Sequence, residues 1–502
     1  MIALRLASLA LALVVGIAGP AWAQSVLRIG LNDDPDALDP TISRAYTGRL
    51  VFAAVCDKLF DVTPELKLVP QLATSFEWAT DQRSVVLKLR PGVKFHDGEP
   101  FNAEAVKFNI ERHINTTGSF RKSEIGQISS VDVLNDTTVR LNLTEPLVPL
   151  LAALSDRAGM MVSPKAAKAL GDKFGTRPVC AGPYRFVERV AQGKIAFERF
   201  PDYWDKGNIH IDRVEFVPIL DSTARLASLR SGDLHMIERA SPTDLPEIRG
   251  DSRLKVVGVP ELGYQVIPLN VNNGPKSKTL ADVRVRQAID LAIDRETLVK
   301  AVFNSEYIPG NQWISPSSPY YNAKFPVRKR DVARARQLLK EAGQPNLTFT
   351  LIVPPERDRQ EAAQIIQGML AEAGVTMTIQ TQENVTMLTN GRKGEFEAYF
   401  TFWSGRPDPD GNVFSHYTCK GAQNDPRYCN PAMDALLAKA RQTPDPAERK
   451  KLYDQATEHL MRDLPRLHLW HRRVFTGFSA KVTGFTPYPD GIIRLRGLKL
   501  TP

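Results

Sequence analysis

"LTFTLIV" at 347–353, "RQEAAQIIQGMLAEAG" at 359–374 and "VTMTIQTQ" at 375–382 decide the fold class. The first and last pieces read as strands. The middle piece carries its apolar residues at helical spacing. A strand–helix–strand run of this size is a βαβ unit, which places two parallel strands in a sheet covered by helices.

The same style extends outward. "DVARARQLLKEAG" at 331–343 predicts a helix with an Asp cap and a terminal Gly. "LADVRVRQAIDLAIDRETLVKAVF" at 280–303 reads as helical, with apolar residues at three- and four-residue spacing. "EFEAYFTFW" at 395–403 reads as a further strand. The first half is richer in hairpins. "SVVLKLRPGVKF" at 84–95 alternates on both sides of a Pro-Gly turn, 131–146 turns at Asn135-Asp136, and 182–200 turns near Gln192-Gly193. Asn102 is placed to cap a helix through "AEAVKFNIERHI". Strands and amphipathic helices alternate without an internal repeat, so the class is α/β or α+β.

The N-terminus has Arg5, an apolar run from Leu6 to Ile17, and Ala21-Trp22-Ala23 before Gln24. That order is the pattern of a secretory signal peptide cut after Ala23. No Cys follows the cut closely, so no lipid anchor is expected, and the mature chain is expected to be exported. Removing residues 1–23 lowers the formal net charge from +9 to +8 through the loss of Arg5. The basic residues form no block, so no nucleic-acid partner is indicated. Four cysteines in an exported chain pair in three ways. Cys419 and Cys429 are placed to close a local loop, which leaves Cys56 and Cys180 to tie distant segments together; buried free thiols are the alternative.

"FWSGRPDPDGN" at 402–412 lies at the C-terminal end of the strand read over 395–403, where open α/β sheets favour ligands. Pro407 and Pro409 favour extended backbone, so Asp408 and Asp410 aim apart and make a poor acid/base dyad. A calcium loop lacks its closing Glu. The acids suit a turn that bonds backbone amides or caps the next element. Arg406 offers a planar fork, either to Asp408 as an ion pair or to a ligand carboxylate. Trp403 beside it supplies a flat wall or plain core. His468 and His471 sit in an apolar strand and read as interior residues. The eight histidines show no metal spacing, and HExxH, GxSxG and Walker patterns are absent. Binding is therefore expected rather than catalysis, with no cofactor.

Several stretches together resemble one family. "PQLATSFEWATDQRSVVLKLRPGVKFHDGEPFNAEAVKFNIER" (70–112), "CAGPYRFVER" (180–189), "FPDYWDKG" (200–207), "LASLRSGDL" (226–234) and "LADVRVRQAIDLAIDRETLVKAV" (280–302) follow the order of dipeptide/oligopeptide-type periplasmic solute-binding proteins, solute-binding family five. The resemblance covers essentially the whole mature chain. It implies a bilobal α/β periplasmic-binding-protein fold with an extra domain, mixed sheets covered by helices and a hinge. The implied division is residues 24–60, 175–265 and 475–502 as the first lobe, 61–174 as the extra domain and 266–474 as the second lobe. It also implies a monomer that closes over a ligand and delivers it to an ABC permease and its ATPase subunits.

In peptide-binding relatives the loop after the strand-ending Trp carries an acid that anchors the peptide's amino group. Arg406 stands about there in this chain, with Asp408 and Asp410 slightly beyond. The departure points to a small peptide or a peptide-like anion, opine- or glutathione-like, with Arg406 on a carboxylate and Asp408 on an amine or hydroxyl. Trp403, Tyr264 and Gly263 are implied as pocket residues, with Asp34 in "LNDDPDALDP" and Arg357 in "PPERDRQ" as further candidates. Arg157 either points into the cleft or forms a structural ion pair. His235 replaces an Asp frequent in relatives at a position that reads as structural. A metal- or haem-chelate carrier on the same fold and an exported hydrolase are the alternative readings.

Overall fold

The βαβ unit forms as its pattern requires in the computed structural model, which describes residues 24–316 and 318–501. The expected signal segment, 1–23, lies outside the described residues. Strand Thr348–Val353 pairs in parallel with Thr376–Thr381, and the connecting helix is Arg357–Ala371. Phe349, Leu351 and Val353 are buried, and Ala362, Ala363, Ile366 and Leu370 of the helix bury against the same core. Each buried Phe, Leu, Ile or Val side chain among them contributes about 1.5–3 kcal/mol when taken from water, so this face anchors the unit.

Residues 395–403 do not form one strand. Ala398–Tyr399 extends the parallel sheet beside Leu351–Ile352, and Phe400 still donates its N–H to the Ile352 carbonyl at 2.8 Å. Thr401–Trp403 then joins a different sheet, antiparallel to Tyr264–Pro268. Phe400 buries its ring in the core shared by both sheets, and this fixes the bend. The chain thereby delivers Phe402 and Trp403 to the junction between sheets.

A seven-stranded sheet supports the other lobe. Its order is Leu254–Pro260, Arg473–Ser479, Met236–Ile237, Val26–Leu31, Arg213–Pro218, Lys194–Arg199 and Tyr184–Val190. Strand Leu254–Pro260 ends three residues before Tyr264–Pro268 of the second lobe, and strand Arg466–His471 of that lobe ends one residue before Arg473–Ser479. The two crossings therefore lie side by side. Glu261 N–H donates to the Arg472 carbonyl at 3.0 Å, and the Arg472 Nε donates to the Glu261 carboxylate at 2.8 Å. These short crossings give the fold its hinge position.

A separate, four-stranded sheet has the order Ala73–Trp78, Ser84–Leu89, Thr138–Leu143 and Ile128–Asn135, and helix Ala103–Asn115 packs on it. The hairpin expected over 84–95 is corrected here. Ser84–Leu89 pairs instead with the preceding strand and with Thr138–Leu143. Pro91 lacks an N–H for a ladder, and Val93 and Phe95 enter the core without joining the sheet. The helix expected over 280–303 is two helices, Val283–Ala292 and Arg295–Phe303. Asp294 caps the second by accepting the Thr297 N–H, a local bond that competes with helix continuation.

Two disulfides are present, Cys56–Cys180 and Cys419–Cys429. Among the described residues no helix is long and apolar enough to cross a membrane.

Candidate functional site

The 402–412 stretch is held by residues that face one another across the second lobe. Strand Tyr264–Pro268 lies against Thr401–Trp403 so closely that a Cβ on Gly263 would stand 1.7 Å from the Trp403 carbonyl oxygen. Only glycine fits there. Asn412 organises the loop: its Oδ1 accepts from Trp403 Nε1 at 2.9 Å and from the Arg406 N–H at 2.7 Å, and its Nδ2 donates to the Arg406 carbonyl at 3.0 Å. The Tyr264 hydroxyl donates to the Asn412 carbonyl at 3.1 Å. Tyr264 and Trp403 both pack in an apolar cluster with Val413 and Tyr417.

The two acids of the loop have separate partners. Asp408 meets Arg449 in a two-pronged pair, both contacts 2.7 Å, and also accepts the Asp410 N–H. Asp410 lies 3.0 Å from Arg441 Nε. The Arg406–Asp408 ion pair considered from sequence does not form, because Arg449 occupies both carboxylate oxygens of Asp408. Arg406 turns instead to Asp156, Nε to Oδ2 at 3.1 Å, with its guanidinium 4.4 Å from the Trp403 ring centre.

Asp156 is the centre of an arginine-rich cluster. Arg49 Nη2 stands 2.6 Å from its Oδ2, and Arg157 Nε stands 3.8 Å from its Oδ1. Arg121 lies beside them and pairs with Glu124 at 3.0 Å. All four guanidinium groups are buried, against two carboxylates. Burial by itself would raise the Asp156 carboxyl, but Arg406, Arg49 and Arg157 outweigh it and hold it well below the carboxylate range. The strain shows on the cations: burial, with Arg49 and Arg121 nearby, pulls Arg406 down to about 10. Burial and the crowding by Arg121, Arg406 and Arg49 likewise depress Arg157. Among the described residues, Nη2 of Arg406, Nε and Nη2 of Arg121 and Nε of Arg157 are buried without a hydrogen-bond acceptor. A cavity lined by Glu124, Asp156, Trp403, Arg406, Gly411 and Phe414 opens beside them.

A second group of charges surrounds Phe402 at the hinge. The guanidinium carbons of Arg472, Arg239 and Arg359 lie 4.1, 4.7 and 5.1 Å from its ring centre. Arg239 comes from the first lobe with a left-handed backbone, φ +48°, which costs energy for a residue with a Cβ. Arg359 comes from the start of helix Arg357–Ala371, and Arg472 from a crossing segment. Tyr46 joins the two groups of charges: Arg239 stacks 3.8 Å from its ring centre and Arg49 lies 5.9 Å from it.

Of the residues expected from sequence, Arg406 and Trp403 line the cavity beside Asp156. Asp408 lines the same cavity while holding Arg449. Asp34 is turned to Arg189 at 3.0 Å and to the Gln192 N–H, and its neighbour Asp33 accepts from Asn384 of the opposite lobe at 2.8 Å. Arg357 is largely exposed on Glu361, whereas Arg359, two residues on, is buried. Arg157 is fully buried and donates to the Ser43 and Ala45 carbonyls. His235 Nδ1 accepts the Arg28 N–H, and His468 and His471 are buried. Sequence reading missed Arg49, Arg121, Asp156, Arg239, Arg359 and Asp33.

The family profile described as bacterial extracellular solute-binding proteins, family 5 middle, matches residues 67–425. The chain belongs to this family. Members bind peptides or other small ligands and work with the permease and ATPase components of ABC importers. The glutathione-binding protein GsiB of Pectobacterium atrosepticum is 30% identical over 97% of this chain and 96% of its own length. Among solved structures, AgaA of A. tumefaciens in complex with agropinic acid matches with a TM-score of 0.87 at 26% identity, covering 95% of this chain and 99% of that one. The periplasmic binding protein DppA of Helicobacter pylori in complex with the peptide STSA gives a TM-score of 0.88 at 25% identity, over 95% and 98% of the two chains. The described chain is thus a bilobal solute-binding protein.

Proposed function

We propose that this family-five protein works in the periplasm, captures a small peptide-like anion between its lobes, and delivers it to an ABC permease without turning it over. The observation that carries the reading is the cluster of Arg49, Arg121, Arg157 and Arg406 around Asp156 and Glu124. Four buried cations against two carboxylates are costly in a low-dielectric site unless an anion joins them. The orphaned donor atoms on Arg406 and Arg121 are what a ligand carboxylate would satisfy. Glutathione, the ligand of GsiB, and agropinic acid, found with AgaA, fit the same chemistry.

Closure would involve the division into residues 24–60, 175–265 and 475–502, the extra domain at 61–174, and 266–474. The sheet membership supports it except at the crossings: the seven-stranded sheet comes from the first set apart from Arg473 and Val474, Tyr264 and Gln265 pair with the last set, and the βαβ unit lies wholly in the last. A thermal-shift screen tests the proposal with short peptides, their C-terminal amides and peptide-like dicarboxylates. Anionic members are expected to raise the Tm by mass action, and amidation to abolish the shift. The Arg406→Ala variant is expected to lose affinity on the order of 10- to 100-fold, the worth of one charge-assisted contact. Equal shifts with the amides, which lack the carboxylate, or full affinity in that variant, would overturn the reading.

A further inference from the structure

The charges around Phe402 differ in kind from the cluster at Asp156. Arg225, Arg239, Arg359 and Arg472 here face Asp33, Glu238, Asp244, Glu261, Glu356 and Asp358, so carboxylates outnumber guanidinium groups. Some of these charges are fully engaged. Glu261 holds both Arg239 and Arg472, and Asp358 accepts from Ser241 of the opposite lobe at 2.8 and 3.0 Å. Others are not. Glu356 Oε2 and Asn384 Oδ1 are buried acceptors with no donor among the described residues. Arg239 Nη1 and Arg359 Nη1 are buried donors with no acceptor among them. The Arg239 and Arg359 side chains are only 8% and 7% exposed, so water does little to satisfy them.

Orphaned acceptors and orphaned donors thus stand together near Phe402, linked through Asp33, which meets Asn384 and lies beside Glu356 and Arg359. A lone anion would answer the arginines and leave the acids uncompensated. A lone cation would do the reverse. A group with an ammonium and a carboxylate on neighbouring atoms answers both. We propose that the end of the cleft around Phe402 is a subsite for the zwitterionic head of an α-amino acid, with its ammonium at Asp33, Glu356 and Asn384 and its carboxylate at Arg239 and Arg359. The assignment rests on the anionic-solute reading above and adds a direction to it. The head sits at the hinge-side group, and the solute's second carboxylate reaches toward Arg406. The Tyr46 ring, stacked by Arg239 and close to Arg49, spans the space between.

The acid side has a second support. Burial, and next to it the Glu356 carboxylate, pushes the Asp33 carboxyl up to about 7, against Asn384, the Asp34 N–H and Arg359, which act to lower it. A carboxylate so placed lacks a dedicated cation within the protein, and an incoming ammonium supplies one.

Three probes separate the two carboxylate ends and the amine. γ-Glutamylglycine has all three groups, glutarylglycine lacks only the ammonium, and γ-aminobutyrylglycine lacks only the head carboxylate. Calorimetric titration of the full chain is expected to give γ-glutamylglycine an advantage on the order of 10- to 100-fold over each of the others. Asp33→Asn and Glu356→Gln should each shrink its advantage over glutarylglycine. Glutarylglycine binding as tightly as γ-glutamylglycine would overturn the head-group subsite and leave the anionic-solute reading intact. Tighter binding of dipeptide amides, which carry no carboxylate, than of any of the three would overturn both. Absence of measurable γ-glutamylglycine binding would overturn the subsite.

Discussion

Replacing Asp33 by Asn should make the ligand-free protein more stable, and increasingly so as pH rises. In the folded chain its carboxyl titrates at about 7, against 3.8 when unperturbed. The folded state therefore holds this proton more tightly than the unfolded state does. The contribution is complete below the unfolded value and is lost as pH rises through the folded one. At about 1.4 kcal/mol per unit, ionised Asp33 costs roughly 1 kcal/mol at pH 4.5 and about 4 kcal/mol above pH 7. The Asn side chain keeps the size and loses the charge facing Glu356. Opening of the cleft rehydrates Asp33, so part of this free energy should appear as lobe opening and the figure is an upper bound. Thermal denaturation of both proteins at pH 4.5 and pH 8 measures it. The expected result is a Tm advantage for the variant that is small in acid and grows by several degrees at pH 8. A pH-independent difference, or a variant less stable at pH 8, would refute the reasoning. Since the same residue is assigned to the ammonium of the solute, the variant should also bind γ-glutamylglycine more weakly while being more stable, a trade typical of a binding site.

Other perturbations test the scaffold. Arg449→Ala removes the two-pronged partner of Asp408, whose side chain is 17% exposed. An uncompensated buried carboxylate typically costs about 3–5 kcal/mol, readable as a lower denaturant midpoint. Gly263→Ala places a methyl group against the Trp403 carbonyl and should cost on the order of 3 kcal/mol or more, with solute binding lost alongside. Removing Cys56–Cys180 frees a separation of 124 residues and removing Cys419–Cys429 one of 10. Chain entropy puts these at about 5 and about 3 kcal/mol, so Ser pairs at the first site should lower the Tm more.

The βαβ unit and the Asn102 and Asp331 caps were legible because each is a local pattern, with period or capping chemistry in one window. The strand at 395–403 was legible as strand but not as two strands, since the bend at Phe400 answers to a core built from both sheets. Arg406 stood out because the loop around it is locally unusual. Its real partner was not legible, because Asp156 lies 250 positions earlier and only folding brings it near. The same holds for Arg239, Arg359 and Arg472, which come from three segments and meet only over Phe402. Where sequence reading names a neighbour, the difference is one of facing. Asp34 turns to Arg189 and Arg357 to Glu361, whereas Asp33 and Arg359 turn inward, and adjacent or alternate side chains differ in direction by the geometry of the element that carries them.

The most direct test of the central claim is mass spectrometry of whatever is released when the protein, purified natively from the periplasm, is denatured. A cleft that closes over its cargo slows escape, so solute is expected to be retained. The account predicts a small molecule with at least two carboxylates and one amine. A mixture of neutral peptides without acidic side chains would contradict it.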